Sequence, residues 1–125
     1  MSIYQEIILD HYRHPRNTGR LKKPTVSGKA FNSLCGDKIS VDLLIHKGKI
    51  KKIKYQAAGC VISQAAASLL SEYLIGKTKE QLQKLDKNFM IKLLGIKLGA
   101  NRIKCALLPL EVIQKTYGQS KSKRS

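Results

Sequence analysis

Two runs of alternating residues, joined by one glycine turn and followed by an abrupt change of period, limit what this chain can fold into. Over 39–45, Ile39, Val41, Leu43 and Ile45 take one side of an extended backbone, and Ser40, Asp42 and Leu44 the other. Over 50–57, Ile53, Tyr55 and Ala57 face one way and Lys52, Lys54 and Gln56 the other. His46-Lys47-Gly48-Lys49 between them is hairpin-turn chemistry. A third, weaker strand is expected around 25–32. This alternation describes an antiparallel sheet with one wet face. From Val61 the pattern becomes helical: Ala65, Ala66, Ala67, Leu69, Leu70 and Leu74 are strong helix formers, and Gly76 stands where a helix ends.

The flanks read as helices. Ile3 and Ile7, Tyr4 and Ile8, and Ile8 and Tyr12 share a face over 3–13, and Pro15 stops the helix at His14. Asn17-Thr18-Gly19 is a turn. Thr78-Lys79-Glu80-Gln81 is a capping box, and Asp86 caps a further helix that runs to Gly95. A last helix is expected over about 103–117, closed by Gly118. Pro109 inside it predicts a kink, or a helix that starts near Leu108. The expected fold is α+β: a three-stranded antiparallel sheet packed against several helices. One domain, residues 1–118, is expected, with 119–125 as a basic disordered tail.

Net charge is +16, from 24 Lys and Arg against 8 Asp and Glu. Such a surface attracts acidic partners. Nucleic-acid binding is the less expected use, because the lysines are spread along the chain and aromatic content is 6%. A basic nucleic-acid-binding module would bind salt-dependently even with all cysteines changed to serine. No apolar run reaches ~18 residues, so no membrane span is expected. The N-terminus has no signal-peptide pattern, which predicts a cytoplasmic, reducing setting.

In such a setting cysteines tend to be reactive or metal-bound, and three of them cannot close into intramolecular pairs. Cys35-Gly36-Asp37 puts a thiol and a carboxylate around a glycine, which is either a paired ligand loop or a buried cysteine beside an ordinary turn. Cys60 follows Gly59 at the start of a helix, where the dipole favours thiolate; it also fits as a small apolar residue. Cys105 lies in Arg102-Ile103-Lys104-Cys105, beside two cations or simply within an apolar helix face. Together, three thiolates and a carboxylate are a plausible set for zinc or for iron in a cluster. The spacings, 25 residues from Cys35 to Cys60 and 45 from Cys60 to Cys105, are not those of a zinc finger. The fold has to gather these side chains.

The chain resembles the U-type iron–sulfur cluster assembly scaffolds, the IscU, SufU and NifU N-terminal group, over about residues 3–117. Asp10, His11, Tyr12, Pro15, Arg16, Asn17 and Gly19 match the family signature D-H-Y-x-x-P-R-N-x-G. Cys35-Gly36-Asp37, Gly59-Cys60 with Ser63, Gly76-Lys77-Thr78 and Arg102-Ile103-Lys104-Cys105 follow in the family's order. The resemblance implies a compact α+β domain with its site at one end of the sheet. It implies a scaffold without turnover of its own, which accepts sulfur from a cysteine desulfurase. A transient 2Fe-2S cluster would then sit on Cys35, Asp37, Cys60 and Cys105 and pass to acceptor apoproteins. Asp37 matches an aspartate associated with cluster lability, and a carboxylate is a harder donor than a thiolate. The alternative is a Zn2+-bound persulfide-relay sulfurtransferase of the SufU type, with Cys105 as persulfide acceptor. Where the IscU branch has a histidine before the last cysteine, this chain has Lys104, as in the SufU branch. The stretch between Cys60 and Cys105 is, however, short for the SufU insertion. Ile96-Lys97-Leu98-Gly99 stands where IscU proteins carry L-P-P-x-K, so recognition by an Hsp70-type chaperone is not expected. His11 is expected to cap or pack the first helix rather than bind metal.

Overall fold

The computed structural model describes residues 3–33 and 36–124. Helix α1 (Ile3–Arg13) leads into strands β1 (Val26–Asn32), β2 (Asp37–His46) and β3 (Lys49–Ala58). Helices α2 (Val61–Leu74), α3 (Lys79–Gln83), α4 (Lys87–Leu94) and α5 (Ala100–Arg124) follow. The sheet runs in the order β1-β2-β3 and both pairs are antiparallel. This is the α+β arrangement that the alternation predicts.

The β2–β3 turn is two residues long, with both Lys47 (φ 52°) and Gly48 (φ 77°) left-handed, the geometry whose twist matches a hairpin. A register shift at Leu44/Ile45 bends the sheet just before it. On the inner face Val26, Ile39, Val41, Leu43, Ile53 and Tyr55 are buried against α2 and α5. Ala65, Ala66 and Ala67 keep α2 thin enough to lie close to its neighbours. The capping box at Thr78 and the Asp86 cap form as predicted; Thr78 Oγ1 accepts the Gln81 N–H and Asp86 Oδ1 the Phe89 N–H.

The segment after α1 ties the layers together. Asn17 C=O accepts the Tyr55 N–H (3.1 Å) and Gly19 N–H donates to Tyr55 C=O (2.8 Å), so residues 17–19 line the free edge of β3. The chain then crosses the outer face over Asp42, whose carboxylate accepts from Arg20 Nε (2.8 Å), Leu21 N–H (3.0 Å) and Ser27 Oγ (2.6 Å). Burial works to raise the Asp42 pKa, but these donors outweigh it and hold it below 3.8. His11 is buried and packs α1 on α2: its Nδ1 lies 2.7 Å from Ser68 Oγ, which also accepts the Arg16 N–H (3.0 Å). Its burial, helped by the Arg16 charge and opposed by Glu72 and Asp10, lowers its pKa below 6.5. Among the described residues no helix is long and apolar enough to cross a membrane.

The last helix departs from expectation at both ends. It starts at Ala100, not near 103 or Leu108, and its backbone continues through Gly118 to Arg124, with Pro109 inside it. Pro109 has no N–H for the Cys105 carbonyl four residues back, and packing on both sides of that turn keeps the helix in place regardless. Glycine within a helix costs only about 1 kcal/mol, so Gly118 weakens the helix without ending it. Tyr117, one residue earlier, is anchored by its hydroxyl to Gly48 C=O (2.8 Å).

Helix α5 reaches the inner face of β1 because Gly28 has no side chain: a Cβ there would run into Oγ1 of buried Thr116. Gly28→Ala should therefore cost about 1–3 kcal/mol. Thr116→Ala in the same chain should recover part of that loss. A double-mutant cycle by urea denaturation measures the coupling, and strictly additive effects would refute the contact.

Candidate metal centre

At the end of the sheet opposite the Lys47-Gly48 turn, three pieces of chain converge: the first residue of β2, the junction from β3 to α2, and the second turn of α5. The fold brings together Asp37, Cys60 and Cys105, with one ligand atom of each lying within 4.8 Å of the others. Cys35 lies outside the described residues. On the β2 side of it, Gly36 N–H donates to Asn32 C=O at the end of β1 (2.8 Å).

Asp37 begins β2 on the inner face, in line with Ile39 and Val41, and its side chain is fully buried. A carboxylate so placed needs partners. Its Oδ1 accepts the Cys60 N–H (2.8 Å) and its Oδ2 lies 3.6 Å from Cys60 Sγ. Gly59 makes this approach possible. Its φ is +131°, and a Cβ would strike both the Asp37 carboxylate and its backbone.

Cys60 is the N-cap of α2, a position usually taken by serine, threonine or an acid. Its Sγ accepts the Ser63 N–H at 3.4 Å, and Ser63 Oγ lies 3.8 Å from the same sulfur while donating to Cys60 C=O (3.2 Å). The helix therefore begins on a sulfur, with the Ser63 N–H of its first turn directed at it. Gln64 Nε2 holds the Gly59 carbonyl (2.9 Å) from the next position. Cys60 is half-buried and lines an open groove of about 510 Å³ with Val61, Ile62, Leu98 and Arg102. Cys105 faces inward at 1% exposure, whereas Lys104 beside it is exposed.

The donor set suits a metal ion or cluster: a buried carboxylate in contact with a thiol, with a second thiol within coordination reach. Lys104, exposed and cationic, adds no nitrogen donor. Sequence reasoning found the four donor candidates but missed the close fit of Gly59 over Asp37. Ser63 was visible there only as the serine that follows Gly59-Cys60 in the family's order, not as a contact to the sulfur. His11 is not part of the site.

The family profile described as the NifU-like N-terminal domain matches residues 3–125. An iron-sulfur cluster assembly scaffold protein, IscU 1 of Archaeoglobus fulgidus, is 27% identical over 90% of this chain and 73% of its own length. The zinc-dependent sulfurtransferase SufU of Bacillus subtilis is 30% identical over 91% of this chain and 88% of its own. The fold is similar to the crystal structure of a NifU-like protein (N-terminal) from Brucella abortus, with a TM-score of 0.81 at 21% identity, covering 97% of this chain and 96% of that one.

Two outcomes check the geometry. Gly59→Ala should destabilise the fold by about 1–3 kcal/mol and loosen Asp37 from Cys60; unchanged thermal stability would contradict the contact. In metal-free folded protein, iodoacetamide should label Cys60 well before Cys105, as mapped by mass spectrometry, because Cys105 is shielded.

Proposed function

Because the chain belongs to the NifU-like N-terminal domain family, we propose that it is a scaffold for iron–sulfur cluster assembly. A 2Fe-2S unit is its cargo, held on Cys35, Asp37, Cys60 and Cys105 and passed on to acceptor apoproteins. The observation that carries this reading is the convergence of the Asp37, Cys60 and Cys105 donor atoms at one buried end of the sheet. Cys35 joins the set by its place in the chain, two residues before Asp37. Asp37 is the harder donor among soft ones and suits release rather than permanent retention. The relatives named as scaffolds and as a sulfurtransferase support a role of this general kind.

The exposed Lys104 favours a second reading on the same residues, a zinc-bound sulfurtransferase. With no histidine before Cys105, the donors are three thiolates and one carboxylate, enough for a closed tetrahedral site. Bound metal would keep the thiols deprotonated and so make its own affinity fall with pH.

In either reading the sulfur comes from a cysteine desulfurase and Cys105 is its proposed acceptor. The Cys105 thiolate attacks the outer sulfur of the donor's cysteine persulfide. One sulfur–sulfur bond forms at Cys105, the donor's breaks, and the donor cysteine leaves as thiolate. Cys105 is 1% exposed, so the end of α5 or its cover must open before sulfur arrives. We assign this work to residues 1–118 in a cytoplasmic, reducing setting, with 119–125 as a basic extension.

Metal and acid-labile sulfide analysis of protein purified without oxygen tests the proposal. About two iron and two sulfide per chain, with thiolate-to-iron absorption that Cys60→Ser abolishes, is the expected result. About one zinc and no sulfide would establish the second reading instead. Retention of either in the triple Cys→Ser chain would sink both.

A further inference from the structure

The outer face of the sheet is half covered. The crossing segment at Arg20 and Leu21 closes over Asp42. Beyond it, toward the metal-centre end, two cross-strand rows lie bare. Lys29, Ser40 and Gln56 form one, and Phe31, Lys38 and Ala58 the other. They line an open trough of about 580 Å³.

Phe31 is out of place for a wet face. It is 57% exposed, and Lys38, paired opposite it, holds its ammonium over the ring 5.8 Å from the centre. Lys29 and Lys38 are both exposed, and Lys52 and Lys54 continue the same side of β3. Among the described residues the carboxylate on this face is Asp42, already bound to Arg20. Glu111 lines an adjoining groove round the β1 edge, which shares Phe31 with the trough and also carries Lys104. The result is an aromatic floor between cationic rims.

Charge also excludes this chain as the occupant. Its eight acids, Glu6, Asp10, Asp37, Asp42, Glu72, Glu80, Asp86 and Glu111, stand singly, with no two adjacent in sequence. A second copy would bring +16 against the same cations, and the C-terminal Lys-Ser-Lys-Arg-Ser is itself basic. We propose that the trough docks an acidic segment of another protein, one that carries carboxylates for Lys29 and Lys38 and an apolar side chain for Phe31. The occupant lies next to the donors, since Lys38 follows Asp37 directly and Ala58 precedes Gly59-Cys60. This inference does not depend on what the donors hold.

The test titrates 15N-labelled full-length chain with the blocked peptide Glu-Glu-Leu-Phe-Glu-Glu at about 0.15 M salt, where long-range attraction is screened. Saturable amide shifts should cluster at 29–31, 38–40 and 56–58. Phe31→Ser should weaken binding about tenfold, as should Lys29→Gln with Lys38→Gln. The same peptide with serine for leucine and phenylalanine should bind more weakly. Shifts spread over lysines throughout the chain would overturn the proposal, as would equal binding by the serine peptide. A single-stranded oligonucleotide that shifts the trough residues as strongly would overturn it too. Should Phe31→Ser lower the melting temperature, the double lysine variant, altered at exposed side chains, decides the matter.

Discussion

Asp37 and the Gly59-Cys60 peptide meet where β2 begins and β3 gives way to α2, and the donor end of the molecule depends on that contact. A fully buried carboxylate is costly unless it is bonded, and here the Cys60 N–H bonds it. The bond is possible because Gly59 adds no Cβ and accepts a positive φ. The same contact sets Cys60 as the N-cap of α2, with Ser63 held against its sulfur. One hydrogen bond thus places two donor side chains and the start of α2, a helix with eight buried residues.

The rest of the fold keeps the third donor within reach. Gly28 lets α5 lie close on β1 beside Thr116, and Tyr117 ties the same helix to the far hairpin turn. Gln114 reaches the Leu82 and Leu85 carbonyls and joins α5 to the end of α3. Cys105, about three turns upstream of these anchors, is held inward at the donor end. On the other side the N-terminal signature acts as a clasp. His11 and Arg16 meet Ser68, Asn17 meets Ser71 (3.0 Å), and residues 17–19 close the β3 edge. Those signature residues serve the position of α2 rather than the chemistry of the site.

Local rules made much of this legible. The period-2 runs, the Lys47-Gly48 turn, the Thr78 box and the Asp86 cap each rest on neighbours in sequence, and each forms as read. The ends of α5 are less legible, because Gly118 reads locally as a stop and Pro109 as a kink or a start, whereas burial of Leu108, Leu110, Val112 and Ile113 outweighs both. The donor candidates were legible as residue types, but Gly59, Ser63 and Gly28 matter through contacts with residues 22, 3 and 88 positions away, and the two distant ones leave no local pattern.

The sequence by itself determined the strands, most helix starts, the presence of three cysteines that cannot all pair with one another, and the strongly basic composition, because these follow from period, capping and composition. The tertiary structure decided that Asp37, Cys60 and Cys105 share one place, that Lys104 is exposed, and that Phe31 stands exposed beside Lys38. The reason is physical: a carboxylate and thiols this far apart in the chain become neighbours through backbone approach, and whether two backbones can approach is settled by the side chain that is missing between them.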